Sequence, residues 1–131
     1  LKKSMPLYAG IFLFSSFASI GLPGLNGFVG EFMILMGSFP SFKILSSIAA
    51  FGVVLAAIYM LWAYQRIFNG QLNNDENAVL TDLNSKELIA VGPLLVLMLF
   101  IGVYPSFVES YIINDVSIIY EAINSLSGVL E

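Results

Sequence analysis

The sequence predicts an all-α membrane protein with one broken transmembrane helix, two further transmembrane helices and a C-terminal amphipathic helix. Of the 131 residues, 58% are hydrophobic and only 11% are charged, whereas a soluble domain has about 45–50% apolar and about 25% charged residues. So small a domain could not hide the excess apolar surface from water. In addition, Glu31 and Lys43 are the only charged residues between positions 6 and 62, and positions 88–104 contain none.

The first predicted crossing covers residues 6–39 and is interrupted in its middle. Residues 6–20 and 28–39 are apolar, but each stretch is short for a span of about 20 residues. The segment between them, GLPGLNG at 21–27, contains glycines and a proline that disfavour a continuous helix. Together the two stretches exceed a hydrocarbon core of about 30 Å, which favours one broken crossing.

Two continuous helices are predicted next, over residues 42–68 and 87–104. The aromatic side chains Tyr59, Trp62 and Tyr64 near the end of the first one predict an interfacial aromatic belt. Pro93 should bend the second helix, because proline lacks the N–H and clashes with the preceding turn. Asn84 or Ser85 is the expected N-cap of that helix.

The basic residues predict the topology. With one broken crossing, Lys43 faces one side alone, and the other basic residues share the opposite side, namely Lys2, Lys3, Arg66 and Lys86. The positive-inside rule then assigns the N-terminal end and the 69–87 loop to the cytoplasm. Residues 1–105 would form the transmembrane part and residues 106–131 a tail on the outer side.

The tail is predicted to be an amphipathic helix. Its apolar stripe consists of Val108, Tyr111, Ile112, Val116, Ile119, Tyr120 and Ile123, and its polar side of Ser110, Asn114, Ser117, Glu121 and Asn124. Such a helix lies on a surface. Because the tail lacks the lysines and arginines of lipid-binding helices, a partner subunit is favoured over lipid, and a loosely held tail is the alternative.

Glu31 is the candidate catalytic residue, as a proton-transfer group. A charge at the bilayer centre costs about 2.5–3.5 kcal/mol, so such residues usually mark ion or proton paths. The alternatives are a glutamate near the interface or one that only plugs the broken backbone. Unwound backbone at this depth needs protein or a wet cavity around it. We predict Glu31 within about one turn of the break, which Gly21, Pro23, Gly24 and Gly27 form. Asn26 and Ser19, with Ser15 and Ser16, are candidates for its polar lining.

Composition excludes several other functions. The chain has no cysteine and no histidine, so thiolate or imidazole ligation of a metal, haem or iron–sulfur cluster is excluded within it. Five lysines and arginines without a basic stripe make nucleic acid an improbable partner. The chain starts at Leu1 without a signal-peptide pattern, and we expect it to be the C-terminal part of a longer protein.

Four segments resemble one known family. The run ASIGLPGLNGFVGEFMIL at 18–35 resembles a broken helix of the proton-conducting, antiporter-like subunit of NADH:quinone oxidoreductase (respiratory complex I) called subunit M or chain 4. Further similar segments are AIYMLWAYQRIF at 57–68, DLNSKE at 82–87 and IGVYP at 101–105. Sodium/proton antiporters and related subunits carry lysine where Glu31 stands, so the glutamate is typical of subunit M. Lys86 stands where arginine is common.

The resemblance implies a longer bundle of inverted repeats, of which this chain holds the last helices, with Glu31 as the terminal proton site toward the outer face. It also implies other membrane subunits of complex I, the lipid bilayer and protons as partners. NADH, FMN, iron–sulfur clusters and quinone would belong to partner subunits, with no cofactor here. The expected location is a bacterial inner membrane, with mitochondrial inner or thylakoid membranes as alternatives. A cation/proton antiporter without redox coupling is the alternative function, and a structural scaffold a third.

Overall fold

The computed structural model describes residues 2–70 and 79–127. Its helices are α1 (Pro6–Ser19), α2 (Asn26–Ser38), α3 (Lys43–Phe68), α4 (Ser85–Val103) and α5 (Ser106–Ser127). The predicted all-α fold, with its broken first crossing, is confirmed. Parts of the predicted 69–87 loop and of the tail, at 71–78 and 128–131, lie outside the described residues.

Helices α1 and α2 form the broken crossing. At 1.5 Å per residue, their 14 and 13 residues give about 21 Å and 20 Å. The continuous helix α3 shows how they are arranged, because its two ends contact different halves. Near its C-terminus, Tyr64 stacks on Phe12 of α1 with ring centroids 6.4 Å apart. Near its N-terminus, the hydroxyl oxygens of Ser46 and Ser38 of α2 lie 2.9 Å apart. The two half-helices therefore follow one another along α3.

Helix α4 begins at a complete capping box. The Asn84 side chain accepts hydrogen bonds from the backbone N–H groups of Lys86 and Glu87 at 2.9 and 3.0 Å. Glu87 Oε2 in turn accepts one from the Asn84 N–H at 2.9 Å. The capping box thus satisfies the N–H groups of Asn84, Lys86 and Glu87, which have no partner within the helix. The helix starts at Ser85 instead of the expected residue 87. Pro93 lies inside α4, as predicted.

Backbone contacts bring the N-terminal end, the end of α3 and the start of α4 together. The Lys2 N–H donates to the Phe68 carbonyl at 3.2 Å. The carboxylate of Asp82, just before α4, accepts from the N–H groups of Leu7 and Tyr8. The Ser38–Ser46 contact marks the opposite end of the bundle. This arrangement separates Lys43 from the other basic residues, as the charge distribution predicted.

Most of the aromatic and apolar surface faces outward, as in a membrane protein. Among the described residues, α3 and α4 are long and apolar enough to cross a membrane, and α1 is a shorter apolar helix. Tyr59 and Trp62 are more than half exposed, as a belt requires, but Tyr64 is only 8% exposed. The assignment of Tyr64 to the belt is therefore wrong, because its ring packs against α1 in a small core with Ala9 and Phe68.

Helix α5 is an exposed continuation of the chain. Its apolar residues Tyr111, Ile112 and Ile119 are each more than half exposed. At its start, the Phe107 ring contacts Phe100 of α4 at a centroid distance of 5.6 Å. The tail therefore forms the predicted helix, with an apolar surface that the other helices do not cover.

Candidate functional site

The end of α1 is a glycine-terminated helix cap. Gly21 has a φ of +77°, a left-handed conformation that L side chains adopt only at a cost. The N–H of Leu22 donates to the Phe17 carbonyl at 3.0 Å, and that of Gly21 to the Ala18 carbonyl at 3.3 Å. This pair of bonds defines a Schellman motif. The carbonyls of Phe17 and Ala18 therefore have partners although the helix stops within the predicted membrane-spanning segment, where an unpaired carbonyl is costly.

The second half-helix starts beside the end of the first. Gly24, at a φ of +93°, redirects the chain, and Leu25, which is 4% exposed, adopts an extended conformation before α2. Gly27 in the first turn of α2 then lies against the Ala18 carbonyl of α1, where a Cβ would overlap the oxygen. The lack of a side chain at Gly27 allows this close approach of the two backbones.

The Glu31 carboxylate lies against Gly21 in the break. An ideal Cβ built on Gly21 would be 2.5 Å from Glu31 Oε2 and 3.2 Å from its Cδ, so the carboxylate occupies the space that a side chain at residue 21 would need. Glu31 itself is half-buried. It lies in the second turn of α2, because α2 already begins at Asn26. The side chain points back toward the N-terminus of its helix, as helical side chains do, and so reaches the break.

The residues predicted to line the break differ in their exposure to solvent. Pro23, Asn26 and Ser19 are exposed. Ser16 is 2% exposed, and its hydroxyl donates to the Phe12 carbonyl at 2.7 Å within α1. Of the predicted site residues, the structure thus brings Gly21 to Glu31, whereas Ser19 and Asn26 are exposed.

Among residues 2–70 and 79–127, no lysine or arginine lies at the level of Glu31. The basic residues of the chain lie before α1, at the ends of α3 and in the first turn of α4, namely Lys2, Lys3, Lys43, Arg66 and Lys86.

Gly102 near the end of α4 is a contact of the break that sequence reasoning missed. A Cβ on Gly102 would overlap the carbonyl oxygen of Gly24 and the Cα and carbonyl carbon of Leu25. The α4 backbone therefore packs directly on the unwound backbone, as small residues permit between membrane helices. The signal in the sequence was the glycine inside an apolar helix pattern, which sometimes marks a packing contact.

Asp82 is a second missed residue, and it fixes the start of α1. Its Oδ2 accepts from the Leu7 N–H at 2.7 Å and its Oδ1 from the Tyr8 N–H at 3.0 Å, across 75 and 74 residues of sequence. Oδ1 also accepts from the Leu83 N–H at 2.9 Å. Burial raises the pKa of the Asp82 carboxyl, but the backbone hydrogen bonds lower it more, so the pKa lies below its usual value.

Comparisons with known proteins agree with the resemblance in the sequence. Residues 1–58 match the family described as NADH:quinone oxidoreductase/Mrp antiporter, transmembrane. NADH-quinone oxidoreductase subunit M of Rhodobacter capsulatus is 41% identical over 112 residues, which are 86% of this chain and 22% of that protein. Subunit M of Mycobacterium tuberculosis is 40% identical over 80% of this chain and 19% of its own length.

A plant relative extends these matches beyond bacteria. NADH-ubiquinone oxidoreductase chain 4 of Arabidopsis thaliana is 40% identical over 80% of this chain and 21% of its own length. The chain thus spans about a fifth of the length of the curated relatives that it matches. Membrane localisation is confirmed, and an inner membrane fits relatives from bacteria and from a plant. Residues 1–58 of the chain thus match the transmembrane family shared by NADH:quinone oxidoreductases and Mrp antiporters, and about four fifths of the chain is similar to subunit M and chain 4.

Proposed function

We propose that this chain translocates protons across an energy-transducing membrane as part of an NADH:quinone oxidoreductase, with Glu31 as a proton-transfer residue. The observation that carries the proposal is the contact between the Glu31 carboxylate and Gly21 at the helix break. Ion-coupled transporters form their ion sites near the membrane midplane from discontinuous helices of this kind. The names of the relatives, NADH-quinone oxidoreductase subunit M and chain 4, support the redox-coupled form.

The proposed chemistry at Glu31 is reversible protonation. The carboxylate accepts a proton from the side of the polar axis within the larger bundle and becomes a neutral carboxylic acid. It then releases that proton toward the outer face and regains its charge, so no bond other than O–H forms or breaks. Moving one charge against about 100 mV costs about 2.3 kcal/mol. An external source of free energy must therefore change the proton affinity of Glu31 between loading and release.

The redox reaction would supply that free energy from other subunits. NADH oxidation and quinone reduction need FMN and iron–sulfur clusters, and this chain has neither cysteine nor histidine to ligate a cluster. We therefore assign these cofactors to partner subunits, and other membrane subunits of the complex are the proposed protein partners. The polar side chains Ser19 and Asn26 would line the proton site together with groups from the rest of the subunit.

The test is Glu31→Gln in the intact membrane assembly that contains this chain, measured as protons translocated per NADH oxidised in sealed vesicles. Glutamine keeps the size of the side chain but cannot release a proton at neutral pH. We expect the ratio to fall while the complex still assembles. Glu121→Gln on the exposed polar side of α5 is the matched control and should leave the ratio unchanged. An unchanged ratio in Glu31→Gln would show that the role assigned to Glu31 is wrong.

A cation/proton antiporter without redox coupling is the second candidate, since the description of the matched family names both classes. The residue at position 31 separates them, because those antiporters resemble this family but carry lysine where this chain has Glu31. The same vesicles provide the experiment. Proton movement that needs a sodium gradient and proceeds without NADH would favour the antiporter, whereas dependence on NADH oxidation favours the redox-coupled assembly.

A further inference from the structure

We propose that Gly102 of α4 is a positioning residue for the Glu31 proton site, because α4 holds the unwound backbone of the break in place. This inference rests on the proposed function of Glu31. It starts from the close contact of Gly102 with the carbonyl oxygen of Gly24 and the main-chain carbons of Leu25. At this contact two backbones touch without a side chain between them, so the position of α4 directly sets the position of residues 24 and 25.

The contact acts on the part of the chain that aims Glu31. Gly24 turns the chain at a φ of +93°, and Leu25 leads directly into α2. A shift of these two residues moves the start of α2 relative to the end of α1. Glu31 is part of α2, and its carboxylate faces Gly21, which follows the end of α1. The distance between carboxylate and break therefore depends on the residues that Gly102 contacts.

The same segment of chain also holds α1 at its other end. Asp82, three residues before α4, accepts hydrogen bonds from the first turn of α1 at 2.7 and 3.0 Å. Gly102 contacts the break that follows α1. Segment 82–102 thus contacts the start of the first half-helix and the unwound backbone that follows its end. A displacement of about 1 Å at a reacting group can cost about a hundredfold in rate. The contacts that segment 82–102 makes should therefore affect the rate of proton transfer at Glu31.

The experiment compares Gly102→Ala with Gly92→Ala in the intact membrane assembly. Both glycines lie in α4, but a Cβ on Gly92 would meet nothing within 4 Å, so the control changes the same helix without touching the break. We expect the rate of NADH-driven proton translocation to fall about tenfold or more in Gly102→Ala and to stay within about twofold of the wild type in Gly92→Ala.

A second readout separates positioning from a general loss of structure. In infrared difference spectra of turnover, the carboxyl C=O band that Glu31→Gln abolishes reports the surroundings of Glu31. We expect this band to shift in Gly102→Ala and not in Gly92→Ala, whereas a smaller amount of assembled complex would only weaken it. Wild-type translocation with an unshifted band in Gly102→Ala would overturn the proposal.

A milder variant covers the case in which Gly102→Ala does not assemble. Leu25→Val removes one methylene from the 4% exposed residue whose main chain Gly102 contacts and should show the same band shift with a smaller loss of translocation. An unshifted band in Leu25→Val would then overturn the proposal. If Glu31→Gln itself translocates protons normally, the proposed function fails. If Glu31→Gln loses proton translocation while Gly102→Ala keeps the wild-type rate and band, only the positioning role of Gly102 fails.

Discussion

The Glu31 carboxylate fills the place that a side chain on Gly21 would occupy, with Oε2 2.5 Å from an ideal Cβ at that position. Residue 21 thus serves two requirements at once. It ends α1 in a left-handed conformation, at a φ of +77°, and it leaves room for the only acid of the broken crossing. The helix break and the proposed proton site are therefore one structural unit, and a change in either should affect both.

Gly21→Ala should lower both proton translocation and stability. The left-handed conformation costs about 1–2 kcal/mol for a residue with a Cβ, and the methyl group would also displace the Glu31 carboxylate. Gly30→Ala is the matched control, since a Cβ there meets nothing within 4 Å and alanine favours a helix by about 1 kcal/mol over glycine. Translocation per NADH and thermal stability of the detergent-solubilised assembly measure the two effects. Equal behaviour of the two variants would contradict the role of Gly21.

Asp82→Ala should lower the thermal unfolding midpoint, because it leaves the Leu7 and Tyr8 N–H groups without their acceptor. Asp115→Ala on exposed α5 should have little effect. The stabilisation that Asp82 provides should change with pH in the wild type. The unfolding midpoint of Asp82→Ala should lack this pH dependence. Since folding lowers the pKa of Asp82, its contribution is complete above the unfolded-state pKa of about 3.9 and is lost as the pH falls through the lowered pKa. A midpoint difference between the two proteins that stays constant as the pH falls well below the unfolded-state pKa would contradict the hydrogen-bonding role of Asp82.

The hydrogen bond between Ser38 and Ser46 should couple α2 to α3. In a double-mutant cycle of Ser38→Ala and Ser46→Ala, we expect a coupling of about 0.6 kcal/mol in the free energy of unfolding, typical of hydrogen bonds between membrane helices. Ser47→Ala is the control for position 46, since the Ser47 hydroxyl donates to the Lys43 carbonyl within its own helix at 2.8 Å. A cycle of Ser38→Ala with Ser47→Ala should show no coupling, and additivity in both cycles would disprove the interhelical role.

Local chemistry explains which features the sequence could predict. The break follows from Gly21, Pro23 and Gly24, which act on their own backbone. The N-cap of α4 at Asn84, one of the two expected residues, follows from its own side chain. These signals need no knowledge of neighbouring helices, so the interruption lies where the sequence indicated and the helix ends lie close to their expected positions.

The missed features depend on how distant segments approach. The hydrogen bonds from the first turn of α1 to Asp82 join residues about 75 positions apart. Gly102 meets Gly24 only because α4 packs on the break. The position of Tyr64 near the end of an apolar helix predicts a belt residue, but α3 is almost uniformly apolar and does not show which side meets a neighbour. The turn of α2 that carries Glu31 likewise depends on where Gly24 allows the helix to begin.

The most direct test of the account is the protonation of Glu31 during turnover, followed by time-resolved infrared difference spectroscopy of the membrane assembly with NADH. The account predicts a carboxyl C=O band that rises and falls with turnover in the wild type and is missing in Glu31→Gln, while the band persists in Glu121→Gln. Identical spectra in the wild type and Glu31→Gln would contradict it, because the proton would then cross the membrane without binding to Glu31.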